Sequence, residues 1–249
     1  MEDYIDAWKK NNLSFDCIYS GFLGSIRQIG IVSDFIDYFG NEENLVVVDP
    51  VMGDNGTLYS SFNDDFIPQM RSLIKKADLI TPNYTEAAFL LGKESRPEEF
   101  TDETAKKWLR ELSDMGPAIV VITSAPDIGN SENTNVIAYD RENDMYWKVG
   151  CRYIPANYPG TGDTFTSVVI GSLLQQESLP VALDRGTQFI SQCIKASYRV
   201  LLGLLRLVKG RLIGLEGKGF HINCGIGPHG YFFIHSKHTP LLSMEDNSG

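Results

Sequence analysis

The stretch 157–165 reads NYPGTGDTF, and its reading decides the fold. Downstream, over 164–174, proline is missing and Phe165, Val168, Val169 and Leu173 recur at helical spacing, so Gly160 and Gly162 stand where a helix begins. Glycine permits close approach and unusual backbone angles, and the first turn of a helix has unpaired N–H groups. Such a turn holds anions, usually phosphate. An ordinary helix start in which Asp163 complements the helix dipole would carry the same letters, so the rest of the chain has to decide.

Upstream, strands and helices alternate. FDCIYSG (15–21) reads as a buried strand, NLVVVDP (44–50) as a β-branched strand ending at Asp49, ADLITPN (77–83) as a strand stopped by Pro82, and AIVVITS (118–124) as a fourth. Residues 1–12 look like the end of a helix. Ser25 caps a helix with Ile26, Ile29, Val32, Ile36 and Phe39 on one stripe. Phe66, Met70, Leu73, Ile74 and Ala77 mark another, a brief helix runs to Leu91, and Thr101 caps one with Ala105, Trp108, Leu109, Leu112 and Met115 inward. NVIAYD (135–140) and MYWKVG (145–150) form a hairpin across RENDM. This alternation calls for a mostly parallel sheet covered on both faces. In such sheets ligands gather at the carboxyl ends of the strands.

The polar residues at those ends are therefore the candidates. Asp49 ends one strand, with Asp54 following in DPVMGDNG (49–56). Thr81, Asn83 and Glu86 follow the next in TPNYTEA (81–87), and Thr123 and Ser124 end a third. Singly, each has a structural reading: Asp49-Pro50 and Asp54-Asn55-Gly56 are good turn formers, and Thr81 or Asn83 can cap a helix. Jointly they set carboxylates, an amide and hydroxyls along one rim beside a glycine-bounded helix start. That set suits Mg²⁺ and a nucleoside triphosphate, because magnesium takes a few carboxylates together with water and phosphate oxygens.

Competing motifs fail on inspection. Gly217-Lys218 is followed by Gly219, and Leu212 stands where a P-loop needs its first glycine. GIGPHG (225–230) matches G-x-G-x-x-G by letter, but it contains Pro228 and leads into the strand-like YFFIH (231–235) where a helix is required. His221, Cys224, His229, His235 and His238 fit no standard zinc spacing. No histidine precedes residue 221, which removes the usual base from a catalytic triad in the main body.

The net charge of −10, with no basic block to balance it, argues against general nucleic-acid binding. No run reaches the length of a membrane-spanning helix, and the N-terminus is too polar for a signal peptide. The four cysteines, Cys17, Cys151, Cys193 and Cys224, are scattered without a C-x-x-C, so a reduced cytoplasmic setting is expected. Composition shifts near Arg199. Residues 199–249 hold six of the 22 Lys and Arg, three of the 32 Asp and Glu and all four histidines, and they open on a Leu-, Arg- and Gly-rich run without a clear amphipathic period. A domain over 1–198 and an atypical tail over 199–249 are expected.

These motifs give the chain a family resemblance. VVVDPVMGDNG (46–56), DLITPNYTEAAFLLG (78–92) and YPGTGDTFTSVVIGSLL (158–174) resemble the pyridoxal kinases of the ribokinase-like superfamily. FDCIYSGFLGS (15–25) and LPVALDRGTQFI (179–190) agree, so the likeness runs from about residue 1 to about Tyr198. It implies a three-layer α/β/α fold and ATP-dependent phosphorylation of the 5′-hydroxymethyl group of pyridoxal, pyridoxine or pyridoxamine. It implies that Asp163 takes the proton from that group, while the N–H groups of Gly160, Thr161 and Gly162 hold the transferring phosphoryl group. Asp49 and Glu86 would organise Mg²⁺, directly or through water. Thr81, Asn83, Thr123 and Ser124 would line the triphosphate and a monovalent-cation site, and Phe22 would lie near the pyridine ring, where many relatives carry Tyr.

The resemblance further implies a cytoplasmic homodimer with no nucleic-acid or membrane partner. Two alternatives stand beside it. Hydroxymethylpyrimidine kinases are close relatives, but they commonly carry Cys where this chain has Asp163. A catalytically inactive, nucleotide-binding paralogue is the other. Family members begin with a strand, a substrate-binding loop and a further stretch ahead of the segment that opens here, so an N-terminally incomplete kinase domain is expected, with the likeness stopping at Arg199.

Overall fold

Short β-branched and aliphatic runs build one sheet, and amphipathic helices cover it. In the computed structural model, which describes residues 1–154, 158–212, 223–226 and 232–235, the chain opens with α1 (Glu2–Lys10), β1 (Cys17–Ser20), α2 (Ile26–Phe39) and β2 (Leu45–Val48). A small hairpin, β3 (Gly53–Asp54) and β4 (Thr57–Leu58), precedes α3 (Phe66–Ile74), β5 (Leu79–Ile80) and α4 (Tyr84–Leu91). Then come α5 (Asp102–Ser113), β6 (Ile119–Pro126), β7 (Asn133–Asp140), β8 (Met145–Arg152), α6 (Thr161–Leu174) and α7 (Leu179–Leu212). The last strands are β9 (Asn223–Ile226) and β10 (Phe232–His235).

The six-stranded sheet has the order β1-β2-β5-β6-β7-β8. Its first four strands are parallel, with Ile18 beside Val46, Val48 beside Ile80 and Ile80 beside Val120; β7 and β8 return antiparallel as the expected hairpin. Successive side chains of a strand point to opposite faces, which explains why the parallel strands are apolar throughout. Val46, Val48, Ile80, Val120 and Ile122 enter one core with residues of α2, α3, α4 and α5. Val47, Leu79 and Val121 enter a second with Phe165, Val169 and Ile170 of α6 and Leu179, Ala182 and Leu183 of α7. Each such aliphatic side chain, fully buried, contributes about 1.5–3 kcal/mol, so the two cores clamp the sheet from both sides. This is the layered α/β arrangement that the alternation called for.

Several local expectations hold for their stated reasons. The Ser25 hydroxyl accepts the Gln28 N–H and the Thr101 hydroxyl accepts the Thr104 N–H, each capping its helix. Ile29, Val32, Ile36 and Phe39 are buried along α2, but Ile26 is exposed, since it lies in the first turn before the helix reaches the core. Thr123 and Ser124 do not end their strand: β6 continues to Pro126 across a bulge between Ile122 and Ala125.

The chain divides into two compact units, Met1–Tyr198 and Arg199–Gly249. The run after Arg199 shows no clear amphipathic period, yet α7 continues through it to Leu212. Leu, Arg and Lys are good helix formers, and here they outweigh Gly203 and Gly210. In the second unit β9 and β10 pair antiparallel, so strands stand where a dinucleotide fingerprint would need a helix. The intervening 227–231, and with them His229, lie outside the described residues, as do His221 and His238. Among the described residues no helix is long and apolar enough to cross a membrane.

Candidate active site

Asp49 follows β2 directly, and its N–H still donates to the Ser20 carbonyl (2.8 Å), so the carboxylate is carried by the end of the sheet. It is buried, with 4% exposure. The chain then turns through β3 and β4, where Asn55 (φ 51°) and Gly56 (φ 77°) both take left-handed angles. The turn-forming reading of Asp54-Asn55-Gly56 is thus what the backbone adopts.

Asn83 and Glu86 secure that loop from the start of α4. The Asn83 side chain accepts the Glu86 N–H (2.9 Å) and the Glu86 carboxylate accepts the Asn83 N–H (2.8 Å), a reciprocal cap. The other Glu86 oxygen accepts N–H groups of Met52 (3.0 Å) and Gly53 (3.5 Å), and the Asn83 amide donates to the Gly53 carbonyl (2.8 Å). Both oxygens of Glu86, which is 3% exposed, therefore hold backbone. The helix-cap reading of Asn83 and its placement on the candidate rim turn out to be one arrangement.

Asp163 arrives from the other core. Gly160, ahead of α6, has φ 86°, a conformation costly for any residue with a Cβ. Among the described residues no side chain caps the helix there, so the N–H groups of its first turn stay available. Asp163 is the third residue of α6, and the Tyr19 hydroxyl donates to its Oδ1 at 3.2 Å. A methyl group added at Gly21 would sit 2.7 Å from that same oxygen, and one added at Gly162 would sit 3.6 Å from Asp49 Oδ2. The start of α6 thus lies against the ends of β1 and β2. Beneath it, the Thr166 hydroxyl donates to the Thr81 hydroxyl at 3.0 Å, both side chains buried.

Burial, and then the charge of Asp163, pushes the Asp49 carboxyl up to about 7 from its ordinary 3.8, with the Thr81 hydroxyl opposing the shift. Burial and the charge of Asp49 also raise Glu86 well above the usual carboxylate range, against the pull of its backbone N–H partners. Acidic groups crowd together here, and among the described residues no cluster of three or more His, Cys, Asp or Glu side chains gathers to hold a metal ion.

Asn83 bridges to Thr123, whose N–H donates to the Pro82 carbonyl at 2.9 Å, and this ties β6 to the same end of the sheet. Ser124 follows with a left-handed backbone (φ 54°) and an exposed side chain. Phe22, 57% exposed, has its ring 5.7 Å from that of Phe62, which stacks on Phe66 at 4.0 Å. The fold thus gathers Asp49, Thr81, Asn83, Glu86, Thr123 and the Gly160–Asp163 turn at one end of the sheet. Ser124 and Phe22 stand exposed beside it, without hydrogen bonds to the carboxylates among the described residues. Two contributors escape a reading of the letters. Tyr19 carries no signal in the letters beyond that of a strand residue, though strand alternation puts it on the face opposite Ile18. Thr166 looks like any helix residue, though it lies one turn beyond Asp163.

The family model for phosphomethylpyrimidine kinase matches residues 5–206, continuing past Arg199. A Bacteroides thetaiotaomicron protein provisionally assigned as a phosphomethylpyrimidine kinase, crystallised with pyridoxal, is 55% identical with a TM-score of 0.76, covering 79% of this chain and 68% of that one. Pyridoxal kinase from Lactobacillus plantarum is 31% identical with a TM-score of 0.69, covering 79% of this chain and 68% of that one. The pyridoxal kinase PdxY of Rubrobacter xylanophilus is 31% identical over 69% of this chain and 58% of its own length. The chain spans about three fifths of the length of the first curated relatives it matches. It belongs to the phosphomethylpyrimidine kinase family, whose ribokinase-like fold it shares with the pyridoxal kinases.

Proposed function

We propose that this chain transfers the γ-phosphoryl group of ATP to the 5′-hydroxymethyl group of a B6 vitamer such as pyridoxal. The observation that carries this reading is the juxtaposition of Asp163, the open first turn of α6 and the buried Asp49 carboxylate at one end of the sheet. Kinship to a protein crystallised with pyridoxal supports the choice of acceptor.

Phosphoryl transfer passes through a loose, charge-rich transition state, so positioning and electrostatics supply most of the acceleration. The N–H groups of the Gly160–Gly162 turn would donate to the transferring phosphoryl oxygens, and left-handed Gly160 lets that turn face the ligand. Asp163 would accept the hydroxymethyl proton as the new O–P bond forms and the bond to ADP breaks. A carboxylate is a weak base, but it needs to accept the proton only as that bond develops.

The residues suit Mg²⁺. Asp49 is a buried carboxylate held high by burial and a like charge, a situation a divalent cation relieves. Magnesium binds through one or two carboxylates plus water and substrate phosphates, so a larger acidic cluster is unnecessary. Asp49 would be the direct ligand. Glu86, whose oxygens hold backbone N–H groups, would act by fixing the 52–53 loop and adding negative potential. Bound Mg²⁺ would neutralise charge on the β- and γ-phosphates. Thr81, Asn83, Thr123 and Ser124 would line the phosphates and a monovalent-cation site, and Phe22 would lie against the vitamin ring. The protein would act in the cytoplasm as a homodimer.

The test is to incubate the purified chain with ATP and Mg²⁺, supplying either pyridoxal or hydroxymethylpyrimidine, and to follow both phosphorylated products. Pyridoxal phosphate forming in an ATP- and Mg²⁺-dependent way is the expected result. Preferential turnover of the pyrimidine would move the chain to the neighbouring activity, and nucleotide binding without turnover of either would make it an inactive paralogue.

A further inference from the structure

Tyr19 belongs to β1, and the side-chain alternation of that strand sends Ile18 into one core and Tyr19 toward the other, against α6. Its ring packs, partly buried, on the core that holds Phe165 and Val169, so the hydroxyl emerges at a fixed height beside the start of α6. There it donates to Asp163 Oδ1 at 3.2 Å. Asp163 is itself exposed and would be free to change rotamer. Gly21, which directly follows β1, leaves the room that this oxygen occupies, because a methyl group there would approach it to 2.7 Å. Tyr19 and Gly21 together form a seat for one oxygen of the carboxylate.

We propose that Tyr19 is a positioning residue: its hydroxyl holds Asp163 Oδ1 so that Oδ2 faces the acceptor hydroxyl. This rests on Asp163 being the base in the reaction proposed above. Burial and the charges of Asp49 and Asp163 raise the Tyr19 hydroxyl well above its ordinary range, so it stays a donor throughout the working pH range of the protein. What the hydrogen bond supplies is orientation, and a displacement of about 1 Å at a reacting group can cost about 10²-fold in rate.

The experiment is a double-mutant cycle with Tyr19→Phe and Asp163→Asn in the full chain, measuring kcat, the KM values for ATP and pyridoxal, and the thermal midpoint. Tyr19→Phe keeps the ring that packs on α6, so the fold should persist with a midpoint within a few degrees of wild type. Expected are a fall in kcat of about 10- to 100-fold and an unchanged KM for ATP. In the Asp163→Asn background Tyr19→Phe should cause almost no further loss, because the group it orients has gone. Losses that multiply across the two substitutions, or an unaltered kcat in Tyr19→Phe, would reduce Tyr19 to a packing residue and overturn the inference. If wild type turns over pyridoxal but Asp163→Asn loses less than tenfold, the role of Asp163 falls and this inference with it. A wild-type chain that phosphorylates no hydroxymethyl substrate overturns the proposed function itself, an outcome visible before any variant is made.

Discussion

Asn83 and Glu86 hold each other's backbone: the amide side chain accepts the Glu86 N–H at 2.9 Å while the carboxylate accepts the Asn83 N–H at 2.8 Å. The same carboxylate reaches across to the N–H groups of Met52 and Gly53, and so sets the loop that follows Asp49. A helix cap is here the device that positions a candidate metal site.

Glu86→Gln tests that device. Glu86 receives three N–H donors on two oxygens, whereas Gln offers one oxygen and a donor NH₂. At least one buried N–H would lose its acceptor, at about 1–3 kcal/mol. Relief of the repulsion with Asp49 offsets part of this. A lower urea midpoint and a weaker Mg²⁺ dependence of ATP binding are expected. A midpoint equal to or above wild type would mean that the repulsion outweighs the clamp.

Gly160→Ala isolates the backbone of the turn. Nothing lies within 4 Å of a methyl group added there, so the cost is that of holding a residue with a Cβ at φ 86°, about 1–2 kcal/mol. If the turn yields instead, its N–H groups swing away from the phosphate position, and ATP should bind more weakly while pyridoxal binding is unchanged. Equal ATP affinity in calorimetric titration would remove this turn from nucleotide binding.

Asp49 makes stability and ligand binding depend on pH in opposite senses. Its folded pKa lies near 7, above the ordinary 3.8, so between those values the native chain holds more protons than the unfolded one. Its contribution to stability is fullest at the acid end of that window and declines as pH rises toward 7. A proton and a cation compete for the same oxygens, so Mg²⁺–ATP affinity should climb over the same range. Asp49→Asn should flatten both profiles, measured as urea midpoints without ligand and as ATP affinity from pH 5 to 8. Profiles unchanged in the variant would assign the dependence to other groups.

The strands and helices of the main body could be read from the letters because apolar periodicity and caps point the same way, as at Ser25, Thr101 and the Val46–Val48 run. The candidate cluster was legible in part. The positions of Asp49, Thr81 and Asn83 follow from the rule about strand ends and that of Asp163 from the glycine-bounded helix start, but the commitment of both Glu86 oxygens to backbone depends on a loop conformation that has no sequence period. The Tyr19 contact to Asp163 spans 144 residues and depends on which face of β1 meets α6. The Ser124 bulge and the continuation of α7 to Leu212 are hidden in the letters for local reasons: a polar pair closing an apolar run looks like a strand end, and glycines in a Leu-rich run obscure a helix.

Asp163→Asn is the decisive substitution for the chemistry. The amide keeps the shape of the carboxylate and can still accept the Tyr19 hydroxyl through its oxygen, so the start of α6 should be undisturbed. Loss of a negative charge beside Asp49 should even lower the Asp49 pKa and favour cation binding, because Asp163 is the largest charge acting on it. ATP affinity should therefore stay level or improve. Turnover should fall by about 10²–10⁴, the usual contribution of a positioned base. Turnover falls while ATP affinity holds only if Asp163 acts on the acceptor proton, since a purely structural role would weaken both. Titrating Mg²⁺–ATP by calorimetry and measuring kcat with saturating pyridoxal separates them, and a loss of turnover under tenfold would take Asp163 out of the role of base.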